Sequence, residues 1–415
     1  MFIYVKMLHR NEGYKMTLTQ RFLKYVAMDT QSDENSSTIP STKKQLVLAN
    51  ELLNELKQMN IHNSYIDEYG IVYAFIDANN HSNKKIGLIA HMDTSPDMSG
   101  KNVKPQLIKN YDGSSIVLNK KLNIWMDPAL FPSLKECIGD DLITTDGTTL
   151  LGADDKAGIA IIMTYLDYVM TTPNYLHGKI CVAFTPDEEI GKGADHFNVN
   201  KFDADFAYTI DGGSIHEINY ENFNAASAKV VVKGNSIHPG SAKNKMLNSI
   251  LIANEFNDLL PSDAIPSKTE GYEGFNHLCD ISGNCEETIM HYILRNHDLN
   301  LLQQQKNDFF KAMKTINDIY PSKPITLKIQ DSYFNMKELV LKNPDVLNTI
   351  YLAYQELNID YEVTPIRGGT DGARLTFEGL PTPNLGTGGY NCHGKYEFVS
   401  INQMEQMVEI IKKIF

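Results

Sequence analysis

Three short apolar runs in this chain of 415 residues end on side chains of the kinds that bind divalent metals. Ile86-Gly87-Leu88-Ile89-Ala90 leads into His91-Met92-Asp93, Lys179-Ile180-Cys181-Val182-Ala183-Phe184 into Thr185-Pro186-Asp187-Glu188-Glu189, and Phe206-Ala207-Tyr208-Thr209-Ile210 into Asp211-Gly212-Gly213. Each run has the length and composition of a buried strand. Ligands of open α/β sheets bind outside the carboxyl ends of the strands, so the pattern predicts that these side chains converge on one crevice. The chemistry such a set offers is metal-assisted hydrolysis.

Each signal also has a plainer reading. His91 and Asp93 fall on one side of an extended segment, so Asp93 can hold the far nitrogen of His91, as metal-binding histidines require; a solvent-facing His at a strand end is the alternative. Gly152-Ala153-Asp154-Asp155-Lys156-Ala157-Gly158 opens an apolar helix, where an Asp is equally at home as an N-cap. Glu188-Glu189 pairs two acids that repel unless a cation relieves them; one then coordinates while its neighbour takes a proton from water. A solvated loop pair is the plain alternative, as a turn Asp is for Asp211 and a loop His for His393 in Gly388-Gly389-Tyr390-Asn391-Cys392-His393-Gly394. Taken together the plain readings must hold at five separate positions in order. Two histidines, three carboxylates and a further acid are what a pair of zinc ions about 3.5–4 Å apart requires. Such oxygen and imidazole ligands suit zinc and also take cobalt or manganese.

The elements that must position this set follow from periodicity. Helices are expected near 17–28, 42–59 and 155–170, and strands near 71–76, 86–91, 179–185 and 205–210. That alternation predicts an α/β sandwich with a mainly parallel sheet. The stretch 93–150, rich in Asn, Asp, Gly and Lys, reads as a long excursion over the crevice. From 218 the texture changes: strands near 225–233, 271–280, 289–295 and 325–329 with helices over 245–260 and 298–317 give the split βαβ, ferredoxin-like plan of a smaller α+β domain. Helices over 344–357 and 401–414 and a strand near 382–386 complete the first. The expected division is an N-terminal extension over 1–15, a catalytic metal-binding domain over 16–217 and 333–415, and an inserted lid or dimerisation-like domain over 218–332.

Composition sets the surroundings. The chain is 42% hydrophobic, enough for two cores, and its formal charge of −13, from 51 acidic against 38 basic residues, opposes nucleic acid and anionic membranes as partners. Five scattered cysteines without a CxxC pair predict free thiols and a reducing, cytoplasmic setting. No segment has the length of an export signal core or a membrane span.

Four motifs, Ala90-His91-Met92-Asp93-Thr94, Leu151-Gly152-Ala153-Asp154-Asp155-Lys156-Ala157-Gly158, Thr185-Pro186-Asp187-Glu188-Glu189-Ile190-Gly191 and Ile366-Arg367-Gly368-Gly369-Thr370-Asp371-Gly372-Ala373, resemble those of the co-catalytic dizinc exopeptidases. Glu221-Asn222-Phe223-Asn224-Ala225-Ala226 and Gly271-Tyr272-Glu273-Gly274-Phe275 favour the tripeptide-cleaving aminopeptidases among them. The resemblance runs from about Met16 to the end and implies a zinc-exopeptidase-like fold. It implies two Zn²⁺ per subunit, with Asp154 bridging them, His91 and Asp211 completing one ion, and Glu189 and His393 the other. It makes Glu188 the general base, Asp93 the partner of His91, and His238, in Gly234-Asn235-Ser236-Ile237-His238-Pro239-Gly240, the donor to the scissile carbonyl oxygen. A turn is the plainer reading of His-Pro-Gly. Arg367, among glycines, suits a peptide carboxylate, and Arg295 is a second candidate for it.

The expected function is therefore release of the N-terminal residue from tripeptides by zinc-activated water. A dipeptidase, carboxypeptidase or N-acyl-amino-acid deacylase of the same fold is the nearest alternative, and a non-catalytic peptide-binding protein the most distant. His238 lies in the insertion and the metal ligands outside it, so the reaction is expected to need closure over its own site or across a homodimer.

Overall fold

The computed structural model describes residues 16–415; the expected 1–15 extension lies outside them. The described chain forms two compact units. The first comprises residues up to Ile218 together with Pro344–Glu362 and Gly379–Phe415, the second Asn219–Asn343 and Val363–Glu378.

The first unit is built on an eight-stranded sheet in the order Ser64–Ile66, Val72–Ile76, Lys179–Thr185, Lys85–His91, Phe206–Gly212, Asn384–Gly386, Glu217–Asn219, Glu362–Val363. Its four central strands, from Lys179–Thr185 to Asn384–Gly386, run parallel, whereas Val72–Ile76 and Ser64–Ile66 are antiparallel to their neighbours. His91 pairs with Thr185, so the carboxyl ends of adjacent strands share one edge. Helix Ala153–Thr171 packs on the strands Lys85–His91 and Phe206–Gly212, with Leu18–Val26 and Ile401–Ile414 against it. It is apolar almost all round, as its buried run Ala157 to Met163 requires. Gly158 permits that closeness: a Cβ there would lie 1.9 Å from the Ile210 carbonyl oxygen. Local signals fix the other helices. Thr17 and Gln20 form a capping box, and Ser400 accepts the Gln403 amide.

The stretch 93–150 is more ordered than its composition suggests. Strands Gln106–Ile108 and Leu142–Thr144 join Phe398–Ser400 and Gly389–Tyr390 in a second four-stranded sheet, over a small core that includes Tyr111, Leu134, Cys137 and Phe398. Three-residue strands are too short to show a period, which is why sequence reading sees only an excursion there. This sheet brackets the loop that carries His393.

The second unit is a four-stranded antiparallel sheet in the order Phe275–Gly283, Glu287–Asn296, Asn224–Lys233, Ile325–Tyr333, with helices Ser249–Asp258 and Leu299–Ile319. Ala226, Ala228, Val230 and Val232 alternate inward to meet Phe256, Met290, Leu294, Phe309 and Ile316. The fold class is as expected; the division differs at its end. Residues to Asn343, and a return over Val363–Glu378, belong to the second unit. Hydrogen bonds hold them there: Asn335 reaches Asn224 and the His297 carbonyl, and the Ile366 amide the Glu221 carbonyl. Among the described residues no helix is long and apolar enough to cross a membrane, and all five cysteines are free.

Candidate metal centre

His91 ends its strand with a buried ring. Its Nδ1 lies 3.1 Å from the Asp93 carbonyl oxygen and 3.4 Å from the Asp93 carboxylate, which orients the ring and leaves Nε2 facing Asp154 at 2.8 Å and Asp211 at 3.3 Å. Asp93 also accepts the amides of Glu188 at 3.0 Å and Glu189 at 3.2 Å. One buried carboxylate thus sets the His91 ring and the turn that carries both glutamates.

The adjacent aspartates divide the two readings open in the sequence. Gly152, at φ 82°, holds the N-cap position without a side-chain cap. Asp155 does the capping work: its Oδ1 accepts the Gly158 amide and its Oδ2 the His91 amide, both at 3.1 Å. Asp154 is thereby left to face His91 on one side and His393 Nε2, at 3.3 Å, on the other.

Glu188 and Glu189 open a 3₁₀ turn, Glu188–Ile190, entered through Asp187 at φ 60°. That left-handed residue is held by its own carboxylate, which accepts the Ser41 amide and hydroxyl and the Gln45 side chain at 2.5–2.6 Å. Glu189 Oε2 lies 2.9 Å from His393 Nε2, while its Oε1 is buried without any hydrogen-bond partner. His393 Nδ1 is 3.4 Å from Asp97.

Ligand atoms of His91, Asp154 and Asp211 all fall within 4.8 Å of one another, as do those of Asp154, Glu189 and His393. The two groups share Asp154. Burial pushes Glu189 up to about 7 and Asp211 up to about 6, the Asp154 charge adding to both. Burial opposes charge on His91, yet Asp211, Asp154 and Asp93 hold its ring well above 6.5, and hydrogen bonds to Asp154 and Glu189 push His393 up to about 11. A cluster that raises its imidazoles and its acids alike is short of positive charge. The unpartnered Glu189 oxygen, the crowded acids and the oxygen and nitrogen donors without thiolate fit two divalent ions with Asp154 between them.

The other expected site residues lie in the second unit. His238 is exposed and caps a 3₁₀ turn, its Nδ1 accepting the Gly240 amide at 3.2 Å. The turn reading of His-Pro-Gly is therefore realised, and in a neutral ring it leaves the proton on Nε2. Arg367 donates through its terminal nitrogens to the carbonyls of Gly271 at 2.7 Å, Glu273 at 2.9 Å and Thr269 at 3.3 Å, and lies over the rings of Phe223 and Phe275. Those contacts occupy the fork that a peptide carboxylate would use. Arg295 donates to the Leu294 carbonyl and lies 5.1 Å over the Tyr333 ring.

Sequence reasoning does not single out Asp155, Asp187, Asp97 or Glu397. The first two sit inside motifs already marked, so adjacency was a usable signal. Glu397 binds amides 243 to 246 residues away, a relation that no local pattern encodes.

A mainly parallel sheet that brings two joined ligand groups to the carboxyl ends of its strands is the architecture of a metallohydrolase-type enzyme. The chain belongs to peptidase family M20/M25/M40, whose sequence profile matches residues 147–415, and it is a hydrolase of that family. His91 and Asp93 precede the matched span but fall within a longer similarity. The chain is 54% identical over 396 residues to Peptidase T of Clostridium acetobutylicum, covering 95% of this chain and 97% of that protein. Among solved structures, a tripeptidase from Staphylococcus aureus superposes with a TM-score of 0.75 at 22% identity, over 96% of each chain. The YXEP protein of Bacillus subtilis, described as a dinuclear metal binding peptidase, does so with a TM-score of 0.59 at 12% identity, over 96% of this chain and 97% of that one.

Proposed function

We propose that this protein is a dizinc aminopeptidase that releases the N-terminal residue from tripeptides in the cytoplasm. The observation that carries the reading is one carboxylate, Asp154, common to two ligand groups, with Glu188 on the same turn as the ligand Glu189. The tripeptide preference is supported by the 54% identity to a Peptidase T. His91, Asp154 and Asp211 would hold one ion and Asp154, Glu189 and His393 the other. Two divalent ions there would polarise a peptide carbonyl and acidify water.

Glu188 takes the proton of the attacking water and returns it to the leaving amine. Asp93 keeps the base in place through the Glu188 amide and keeps the His91 ring oriented. His238, with its Nε2 proton, donates to the carbonyl oxygen as charge develops there. We assign the peptide carboxylate to Arg367, with Arg295 as second candidate; binding it requires Arg367 to exchange its carbonyl contacts. Whether His238 serves its own subunit or a homodimer partner is part of the same proposal.

The test is to incubate the zinc-loaded protein with di-, tri- and tetrapeptides, and with an amidated tripeptide, and to identify the first product. The free-acid tripeptide should be cleaved fastest, into its N-terminal residue and a dipeptide. Release of the C-terminal residue, or preference for dipeptides, would overturn the assignment. Equal turnover of the amidated tripeptide would remove Arg367 from carboxylate binding.

A further inference from the structure

Glu397 is no member of either ligand group, yet it is 1% exposed and its carboxylate is fully engaged. Oε2 accepts the amides of Leu151 at 2.6 Å and Gly152 at 2.8 Å, and Oε1 that of Asp154 at 3.1 Å. These amides lead into a helix whose N-cap, Gly152, has no side chain to satisfy them. Asp155 caps the Gly158 amide one turn in, and Glu397, from the far end of the sequence, takes the Asp154 amide and the two that precede the helix.

The same residue follows His393 by four positions. Its own amide bonds the Gly394 carbonyl, and it stands directly before the strand Phe398–Ser400. The side chain therefore ties the loop bearing His393 to the backbone bearing Asp154, which belong to different sheets and helices of the first unit. A carboxylate is the only side chain group here that accepts on both oxygens; an amide in its place would turn an NH₂ toward an N–H.

We infer that Glu397 is a positioning residue that holds Asp154 in register with His393 as the shared carboxylate, so that both ions depend on it. The inference rests on the two-metal reading above. It differs from a purely structural role, which would lower stability without changing metal affinity in the folded protein.

The experiment is zinc titration of metal-free wild type, Glu397→Gln, Glu397→Asp and Glu55→Gln under chelator competition, with denaturant unfolding of each metal-free protein. Glu55 is an equally buried carboxylate away from the ligands, and its variant controls for lost stability. Glu397→Gln should weaken both ions about 10–100-fold, the range for residues that orient metal ligands. Glu397→Asp restores the charge on a shorter side chain and should recover part of the loss; it also carries the comparison if the Gln variant does not fold. Glu55→Gln should bind as the wild type does. Wild-type affinity for either ion in folded Glu397→Gln, or an equal loss in Glu55→Gln, overturns the inference while leaving the two-metal reading intact. A wild type that binds fewer than two ions overturns both.

Discussion

Two clusters of charge in the first unit differ in how their charges are matched. Around Arg21, donors and acceptors are matched: Nε bonds Glu55 at 2.6 Å, a terminal nitrogen bonds Asp167 at 3.0 Å, another the Met16 carbonyl, and the Tyr25 hydroxyl bonds the second Glu55 oxygen. Around Asp154, acids abut acids, Glu189 keeps a buried oxygen without a partner, and the neighbouring carboxylates raise both imidazoles. Burial is not what marks the Asp154 cluster, since Asp154, Glu189 and Asp211 are half-buried and His393 is exposed, whereas Arg21 and Glu55 are buried. The mark is a charge balance that the protein's own side chains do not close.

The sharpest way to test that contrast is Glu188→Gln. The amide keeps the shape and removes the base, so turnover should fall about 10²–10⁴-fold with full metal content. Elemental analysis beside a kinetic assay checks it, and near-normal turnover with two bound ions would end the role. The matched cluster should respond in the opposite way. Arg21→Met strands two buried carboxylates and should cost about 3–5 kcal/mol of stability in denaturant unfolding, with metal affinity unchanged. A metal defect in that variant would show that the two clusters are not independent.

What was legible in the sequence follows the range of the interactions. The helices at Pro344–Leu357 and Ile401–Ile414 are legible to the residue, because a Pro at the first turn and a Ser cap coincide with an apolar period. The strands that carry His91 and Asp211 are visible as apolar runs, and the structure brings the side chains at their ends together. The tasks of neighbours were not legible. Nothing local says that Asp155 caps and Asp154 faces the imidazoles, since that follows from the conformation at Gly152 and the position of His91. Likewise the return of Val363–Glu378 to the second unit is fixed by contacts such as Arg367 to Thr269, nearly a hundred residues apart.

The smallest expected effect concerns protons, and it probes the open cluster directly. Metal ligation needs neutral imidazole. In the metal-free centre the surrounding carboxylates raise His91, and raise His393 to about 11, so each ring keeps its proton to higher pH than an ordinary histidine and an entering cation competes with that proton. A raised pKa means that the competing proton is fully bound below 6.5 and is lost only as pH climbs through the raised value. Metal affinity should therefore increase with pH and keep increasing beyond the range in which an ordinary histidine has finished titrating. The slope should reach about tenfold per pH unit for each proton displaced, equal to about 1.4 kcal/mol. Calorimetric titration of metal-free protein in buffers of different ionisation enthalpy counts the protons released at each pH. If affinity levels off by about pH 7.5, roughly one unit above an ordinary histidine, without proton release, the imidazoles are not charged in the empty centre. The cluster around Asp154 would then be balanced in some other way, and the contrast with the Arg21 cluster would lose its basis.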